Sequence, residues 1–236
     1  DLRMSRGLGD VYKRQDMHMH EMRYSGDSFL RLENMVEIAK RRGLDGICIT
    51  DHDSMGLKEF AAEYSEKTGF PIFVGIEFYS LQGDIVAFGI EDYPKERIPA
   101  QEFVDLVQAQ GGMCFSAHPF RNNNRGLEEN LKIVKGLDGI EVLNGSTLYE
   151  ANRKAAEYAA ELGLATVGSS DCHVPEKLGI YATYFPREIR SVQELIRSVK
   201  RCETLPVYYK EGGYYLWDMK LSLIHISEPT RHAQIS

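Results

Sequence analysis

Short apolar runs alternate with longer amphipathic segments along most of this chain, and that alternation limits the folds available to it. Eight runs have the length and composition of buried strands. They are 17–20, 46–50, 72–76, 85–88, 113–117, 139–143, 165–168 and 181–185. Helical spacing of apolar residues predicts helices at 28–43, 57–68, 100–110, 127–135, 149–162 and 192–200. Strands that alternate with helices indicate an α/β protein built from βα units around a parallel sheet.

One connection departs from that pattern. The run that begins near Asp84 follows Glu77 after only a few residues, which include Gly83, so this pair of strands is predicted to be a hairpin. The chain has 236 residues, which fits one α/β barrel or two small domains. Because no internal repeat, proline-rich linker or block of like charge divides it, we expect a single domain.

Composition excludes several classes of protein. With 43% hydrophobic and 27% charged residues the chain is neither disordered nor of low complexity. A net charge of -7 disfavours a general nucleic-acid or anionic-membrane surface. No apolar stretch reaches the roughly 18 residues of a membrane span, and no signal peptide opens the chain. The 4 cysteines have no CxxC spacing. We therefore expect a cytoplasmic protein with reduced thiols and no membrane partner.

The two ends of the chain carry an inverted repeat at the DNA level. Residues 10–15 read DVYKRQ and residues 221–226 read LSLIHI. One coding sequence for the first string, GAT GTG TAT AAG AGA CAG, has a reverse complement that encodes the second. Such a pair is typical of translated sequencing-adapter DNA on either side of an insert. We accordingly predict adapter-derived segments at 1–15 and 221–236, and one native domain at 16–220.

Ligand-type residues close nearly every predicted strand of that domain. They are His18, His20, Asp51, His52, Glu77, His118, Asn144, Asp171 and His173, with Asp27 just beyond the first strand. The carboxyl ends of parallel barrel strands meet on one face, so these side chains are expected to surround one pocket. The set includes all five histidines of the predicted domain, since His225 and His232 lie in the tail.

Each of these residues is ordinary when taken alone, because polar side chains often end strands or cap helices. Together, converging imidazoles and carboxylates predict a metal site that suits Zn, Mn or Fe(II). More than four such ligands imply more than one ion. Neighbouring ions can hold a hydroxide nucleophile and clamp the oxygens of a phosphate ester, so the set predicts hydrolytic chemistry.

Other catalytic patterns have little support in the sequence. It contains no G-x-S-x-G elbow, no P-loop and no G-x-G-x-x-G at the start of a helix. The GSSDCH segment offers Ser169, Ser170 and Cys172 as alternative nucleophiles, although we expect these residues only to shape the loop. Lys177 receives no role.

The ordered motifs DMHMH, YSGDS, ITDHD, GIEF, AHPFR, GIEVLNG and GSSDCH, from about Asp16 to Phe185, resemble those of the PHP (polymerase and histidinol phosphatase) family. Its members are metal-dependent phosphoesterases with a distorted (β/α)7 barrel. The resemblance implies that His18, His20, Glu77 and Asp171 hold one metal ion. It also implies that Glu77 bridges to a second ion bound by His118, and that Asp27, His52 and His173 hold a third.

Two departures from the family pattern leave either two or three divalent ions (Zn, Mn or Fe) open. Asp27 lies seven residues after His20, where the family often has a ligand five or six residues on. Many members also carry a further histidine on the strand after the bridging glutamate, where this chain reads GDIVAFG.

The resemblance predicts a phosphatase or phosphodiesterase in which a metal-bridging hydroxide attacks phosphorus. Asp51 would orient a histidine or the hydroxide, and Arg121 would bind a phosphate oxygen through its guanidinium fork. Asn144 would contact substrate or fix its loop. The expected substrate is a small phosphate monoester, a nucleotide or a short RNA end.

Two alternatives remain open at this point. One is a non-catalytic metal-binding PHP module, although the chain keeps most ligands and shows no attached polymerase region. The other is an amidohydrolase-like C–N hydrolase, whose family also opens with His-x-His but normally needs a metal-bridging lysine at a strand end.

Overall fold

A computed structural model describes residues 13–217 of the chain. It contains five α-helices, one short 3₁₀ helix and eleven strands. In chain order they are β1 (Lys13–Asp16), α1 (Leu32–Arg42), β2 (Gly46–Ile49), α2 (Lys58–Thr68), β3 (Ile72–Val74), β4 (Ile76–Tyr79), β5 (Asp84–Phe88), α3 (Ala100–Ala109), β6 (Met113–Ser116), the 3₁₀ helix Glu128–Lys132, β7 (Gly139–Asn144), α4 (Tyr149–Leu162), β8 (Ala165–Ser169), β9 (Tyr181–Phe185), α5 (Val192–Lys200), β10 (Leu205–Lys210) and β11 (Gly213–Leu216).

The strands form two sheets. One has the order β11-β10-β9-β1-β2-β3 and the other β4-β5-β6-β7-β8. Pairing is parallel within β1-β2-β3 and within β6-β7-β8, and antiparallel elsewhere. The predicted α/β class is confirmed. The predicted distorted (β/α)7 barrel is not confirmed, because the strands of the described residues form two sheets rather than one continuous ladder.

Two isolated bridges connect the sheets at the end where β1, β2 and β8 finish. Met19 pairs with Cys172, and His52 pairs with Glu77. Both bridges lie beside residues that the sequence marks as ligands. The two sheets therefore come together at the ligand-bearing end of their strands.

Several boundaries differ from the sequence prediction. Strand β1 covers residues 13–16 and not 17–20, because the partners β2 and β9 pair with residues 13–16 and leave the later residues only the bridge at Met19. Thus residues 13–15, which the adapter hypothesis places before the domain, lie in a strand. The hairpin is confirmed, with Tyr79 opposite Asp84, but the predicted strand 72–76 is wrong, because it divides into β3, which pairs with β2, and β4, which pairs with β5.

Two further segments were wrongly predicted or missed. Segment 127–135 forms only a 3₁₀ helix, because Glu128 has a φ of 50° and cannot begin an α-helix. The antiparallel hairpin of β10 and β11 was not predicted. Its signal was a Glu211-Gly212 turn between two tyrosine-rich runs, and both turn residues have the positive φ of hairpin turns.

Helix α1 shows how the sequence leaves a loop free for the site. Its apolar stripe, which includes Met35 and Ala39, is buried, and Gly43 ends it in a left-handed conformation. The helix begins at Leu32 rather than at Ser28. The Ser28 hydroxyl donates to the His20 carbonyl and accepts from the Leu30 amide, which keeps this segment in a turn.

None of the helices described between residues 13 and 217 is long and apolar enough to cross a membrane.

Gly145, directly after β7, is expected to be intolerant of a side chain. A methyl group there would collide with the backbone carbonyl of Ser170 and lie 2.9 Å from Ile180 Cδ1. We expect Gly145→Ala to lower the free energy of unfolding by about 1–3 kcal/mol, measured by urea denaturation. Gly26→Ala is the matched control, because nothing lies within 4 Å of its added methyl group. Equal losses in the two variants would contradict this prediction.

Candidate metal centre

The predicted ligands come from strand ends in both sheets. His18 and His20 follow β1, Asp51 and His52 follow β2, Glu77 lies in β4, His118 follows β6, and Asp171 and His173 follow β8. Asp27 lies in the loop before α1. The structure brings the eight predicted metal ligands into three overlapping groups.

The first group consists of His18, His20 and Asp171, all buried, with ligand atoms within 4.8 Å of one another. The Nε2 atoms of the two histidines are 3.1 Å apart. Oδ1 of Asp171 lies 3.2 Å from Nε2 of His20 and 3.7 Å from Nε2 of His18. Two nitrogens and an oxygen therefore face one small space.

The second group shares His18 and adds Glu77 and His118, which are also buried. Glu77 Oε1 lies 2.8 Å from His118 Nε2 and 3.3 Å from His18 Nε2. Its other oxygen, Oε2, lies 2.7 Å from His52 Nδ1 and 3.6 Å from His20 Nε2. One oxygen of Glu77 thus faces the two histidines of the second group, and the other faces His52 and His20 of the third group.

The third group consists of His20, His52 and His173. Asp27 joins it from the more open side, with Oδ2 at 3.3 Å from Nε2 of both His52 and His173. The Asp27 side chain is 60% exposed, so this group opens to solvent where the other two are closed. The structure thus brings Asp27 to the centre despite its unusual spacing in the sequence.

The donor geometry fits cations. Nδ1 of His18 lies 3.2 Å from a Glu141 oxygen, and Nδ1 of His20 lies 3.2 Å from the Ser25 hydroxyl. When both Nδ1 atoms donate to these partners, both Nε2 atoms carry lone pairs that face each other at 3.1 Å. Two such lone pairs repel each other unless a proton or a metal ion lies between them or beside them.

Buried polar atoms without hydrogen-bond partners support the same conclusion. Among the described residues, these atoms include Nδ1 of His52, Oε2 of Glu77 and Nδ1 of His118. Nδ1 of His52 and Oε2 of Glu77 are close, but their geometry is not that of a hydrogen bond. Unsatisfied buried groups are rare in native proteins, and a bound ion would satisfy Oε2 of Glu77 and Nδ1 of His52, although not Nδ1 of His118, whose Nε2 faces Glu77.

Charge in the centre favours ionised carboxylates. Burial opposes ionisation of Glu77 and Asp171, yet the nearby histidines, His18 foremost, hold the pKa of each carboxyl well below its usual value. For His18, burial opposes the charged form, but the surrounding carboxylates hold its pKa well above the usual value. Negative charge in this buried space therefore attracts either protons or metal ions.

Backbone conformation at two of the ligands is unusual. His118 has a φ of 28° and Asp171 a φ of 48°, in the left-handed region that most residues avoid. Such conformations cost on the order of 1–3 kcal/mol each and cluster at functional sites. The Asp171 amide donates to the carbonyl of His18 at 2.9 Å, which holds one of these strained residues in place.

Asp51 reaches the ligands through a serine. Its Oδ1 accepts from the Ser25 hydroxyl at 2.8 Å and from the Glu21 amide at 2.6 Å, and Ser25 contacts Nδ1 of His20. Burial raises the pKa of the Asp51 carboxyl to about 6. The carboxylate is thus placed to fix the orientation of His20.

Arg121 and Asn144 adjoin Asp171. Arg121 Nη2 donates to Oδ2 of Asp171 and, at 2.8 Å, to Oδ1 of Asn144. The side-chain nitrogen Nδ2 of Asn144 donates to Oδ2 of Asp171 at 3.2 Å and to Oε2 of Glu141 at 2.9 Å. Because Asn144 is buried and both ends of its amide are engaged with protein, the geometry favours the loop-fixing role of the two expected for it.

Sequence reasoning missed three polar residues at the centre, which are Glu141, Asp84 and Arg125. Glu141 lies within the apolar run of β7 and contacts His18. Asp84, fully buried at the start of β5, lies 3.6 Å from His118 and is held by both Nε and Nη2 of Arg125. A carboxylate inside a buried strand, as in IEVL, was the signal available for Glu141.

The alternative nucleophiles are poorly placed for that role. Ser169, Ser170 and Cys172 are all buried. Burial raises the pKa of the Cys172 thiol well above its usual value, which is the opposite of what a thiolate nucleophile needs. Lys177 lies at the rim, with Nζ 3.2 Å from the Ser146 hydroxyl.

Comparison with known proteins gives one family match and several relatives. Residues 149–204 match the family described as PHP-associated. An uncharacterized protein from Methanocaldococcus jannaschii is 28% identical over 140 residues, which cover 55% of this chain and 80% of the relative. A protein from Caldicellulosiruptor saccharolyticus named a probable phosphatase is 24% identical over 208 residues, which cover 84% of this chain and 78% of the relative.

Solved structures share the fold at low identity. A protein described as a metal-dependent phosphoesterase from Bifidobacterium adolescentis has a TM-score of 0.56 at 21% identity, covering 80% of this chain and 96% of its own. The lesion-specific endonuclease PfuEndoQ from Pyrococcus furiosus has a TM-score of 0.62 at 18% identity, covering 87% of this chain and 57% of its own.

A third structure, described as an amidohydrolase from Chromobacterium violaceum with bound sulfate, has a TM-score of 0.60 at 20% identity and covers 78% of this chain and 96% of its own. Fold likeness alone therefore does not choose the reaction. The PHP-associated match at residues 149–204 and the shared fold agree with the resemblance of the ordered motifs, from DMHMH to GSSDCH, to the PHP family.

Proposed function

We propose that the protein is a divalent-metal-dependent phosphoesterase that hydrolyses a small phosphate monoester or a nucleotide. The observation that carries this proposal is that the first ligand group shares His18 with the second and His20 with the third, and that Glu77 contacts both histidines, so that several ions would be neighbours. Neighbouring ions suit the displacement of a phosphate ester. The names of the phosphoesterase and phosphatase relatives agree with that chemistry.

The ligand assignment follows the three groups. His18, His20, Glu77 and Asp171 would hold one ion, Glu77 and His118 a second, and Asp27, His52 and His173 a third. When bound, divalent ions would polarise the phosphoryl oxygens and lower the pKa of a water molecule. The protein's part is to hold these ligands in place, and Asp51 would contribute by orienting His20 through Ser25.

Arg121 is proposed to contact the phosphate. Its Nε and Nη2 anchor it to Thr147, Asn144 and Asp171, whereas its Nη1 makes no hydrogen bond within residues 13–217. We expect Arg121→Lys, which keeps the charge but loses the planar fork, to lower kcat/KM by about 10–100-fold, the effect of losing one charged hydrogen bond.

The measurement for Arg121→Lys combines steady-state kinetics with metal content, because Arg121 also touches Asp171. Unchanged metal content with the loss in kcat/KM would support phosphate binding. A kcat/KM within twofold of wild type, or a loss matched by lost metal, would contradict it. Arg153→Lys, on the exposed side of α4, is the matched control.

Nucleotides and short nucleic-acid ends are favoured among phosphate esters for two reasons. One structural neighbour is named as an endonuclease. The rim of the centre also carries cationic groups on two sides, Arg121 and Lys177 beside Asp171 and its loop, and Arg125 beside Asp84. Several cations around one opening suit a substrate with more than one phosphate.

The amidohydrolase alternative has the fold likeness of the Chromobacterium violaceum structure in its favour. A metal-bridging lysine is the feature expected of that class. Lys177 lies at the rim of the centre, and its Nζ contacts the Ser146 hydroxyl rather than any of the predicted ligands. Hydrolysis of phosphate esters therefore remains the better-supported function.

The test combines metal analysis of the purified full chain with a substrate panel. The panel contains histidinol phosphate, nucleoside monophosphates, 3',5'-bisphosphates, 5'-phosphorylated short RNA and N-acyl amides, each with and without Mn(II). We expect at least two ions per chain and Mn(II)-dependent phosphate release. Metal binding without any turnover would favour the non-catalytic module, and amide cleavage alone would favour the C–N hydrolase.

A further inference from the structure

Glu141 occupies the middle of β7 with no solvent exposure and touches the centre without belonging to any of the three ligand groups. Its Oε1 lies 3.2 Å from Nδ1 of His18. Its Oε2 accepts from the backbone amide of His118 at 2.7 Å and from the Asn144 side-chain amide at 2.9 Å. Both oxygens are thus engaged by groups that themselves hold or flank the ligands.

The contact between Glu141 and His18 determines which ring nitrogen of His18 carries a proton. An ionised carboxylate only accepts hydrogen bonds, so His18 must donate from Nδ1. The other oxygen of Glu141 already accepts two hydrogen bonds, from the His118 backbone amide and from the Asn144 side chain, which suits an ionised carboxylate. With the proton on Nδ1, a neutral His18 presents the lone pair of Nε2 to the space shared with His20, Glu77 and Asp171.

We infer that Glu141 is a positioning residue that sets the tautomer of His18 and connects it to two other ligands. Glu141 accepts from the backbone amide of His118, which is held at a φ of 28°. It also accepts from the side chain of Asn144, which in turn donates to Asp171. This inference rests on the proposed metal centre, and it adds a residue that controls how that centre is assembled.

Glutamine has nearly the shape of glutamate but cannot make the same set of contacts. Three donors converge on two oxygens, and an amide offers one oxygen and one NH₂ group. If the amide oxygen faces His118 and Asn144, the NH₂ group faces Nδ1 of His18 and donates to it. This favours the tautomer of neutral His18 that carries its proton on Nε2, where an ion would bind. If the oxygen faces His18, the NH₂ group opposes two other donors.

The test uses Glu141→Gln in the full chain, with zinc as the probe. We expect the affinity for one zinc ion to fall by about 10–100-fold, the usual effect of losing a partner that orients a metal ligand. Chelator competition measures the affinity. Long-range ¹H–¹⁵N spectra of the histidine rings report whether His18 carries a proton on Nδ1, in zinc-loaded and zinc-free protein alike.

The control variant is Asp138→Asn, directly before β7 and at the other end of that strand from Asn144. Asp138 also accepts from a backbone amide and a side-chain amide, those of Cys114 and Gln108, but it lies away from the ligands. We expect this variant to keep wild-type zinc affinity and the Nδ1 proton of His18. A fall in zinc affinity equal to that of Glu141→Gln would overturn the inference by showing a general loss of packing.

Other outcomes separate this inference from the proposed function. Wild-type protein with no proton on Nδ1 of His18, or Glu141→Gln with zinc affinity within twofold of wild type, would overturn the inference even if phosphate release persists. Wild-type protein that binds zinc and keeps the Nδ1 proton but releases no phosphate would support the inference and overturn the proposed function. The wild-type spectrum decides the point if Glu141→Gln does not fold.

Discussion

Glutamine in place of Glu77 is expected to abolish metal-dependent phosphate release. One carboxylate oxygen of Glu77 faces His18 and His118, and the other faces His52. An amide removes the charge that ions require and turns an NH₂ donor toward ring nitrogens. Because a ligand matters more than its supporting partners, whose loss costs 10–100-fold, we expect activity to fall by more than about 100-fold.

Metal content and activity should be measured together on the Glu77→Gln protein. At least one ion per chain should be lost, as determined by mass spectrometry of the dialysed protein. Glu63→Gln, on the exposed face of α2, is the matched control and should behave as wild type. A Glu77→Gln protein that keeps every ion and its turnover would show that Glu77 is not a ligand.

Removal of metal is expected to lower the melting temperature substantially. The Nε2 atoms of His18 and His20 lie 3.1 Å apart, and buried polar atoms of the centre have no hydrogen-bond partner among the described residues, so a bound ion would stabilise the folded state. An ion present at a thousand times its Kd stabilises the folded state by about 4 kcal/mol. For a protein of this size that corresponds to a shift of roughly 8–16 °C.

Differential scanning calorimetry in the presence of a chelator, followed by excess Mn(II) or Zn(II), measures this shift. The Glu77→Gln protein serves as the reference, because it should lose less stability on chelation than wild type does. A wild-type shift below about 2 °C would mean that no tightly held ion contributes to folding.

The local sequence was sufficient to predict most of the strand ends that carry the ligands. Apolar runs end at polar residues, and this pattern identified His52, His118 and Asp171 without any contact information. The strand at 17–20 was placed four residues too late, because alternating Met and His look like a strand whether or not a partner strand is available. Pairing depends on β2 and β9, which are distant in the sequence.

Contacts between distant segments could not be predicted in this way. Glu141 is 123 residues from His18, and its position inside an apolar run does not say which side chain it faces. The Asp84–Arg125 pair similarly joins residues 41 apart. Division of the strands into two sheets depends on pairings that local periodicity does not encode.

The sequence by itself determined the α/β class, the strand ends that carry histidines and carboxylates, and the resemblance to the PHP family, because these are properties of short segments. Only the tertiary structure decided which nitrogens and oxygens share a space, how Glu77 divides its oxygens between two groups, and that Glu141 orients His18. The reason is that ligand geometry depends on distances between sheets, and those distances are set by packing rather than by spacing along the chain.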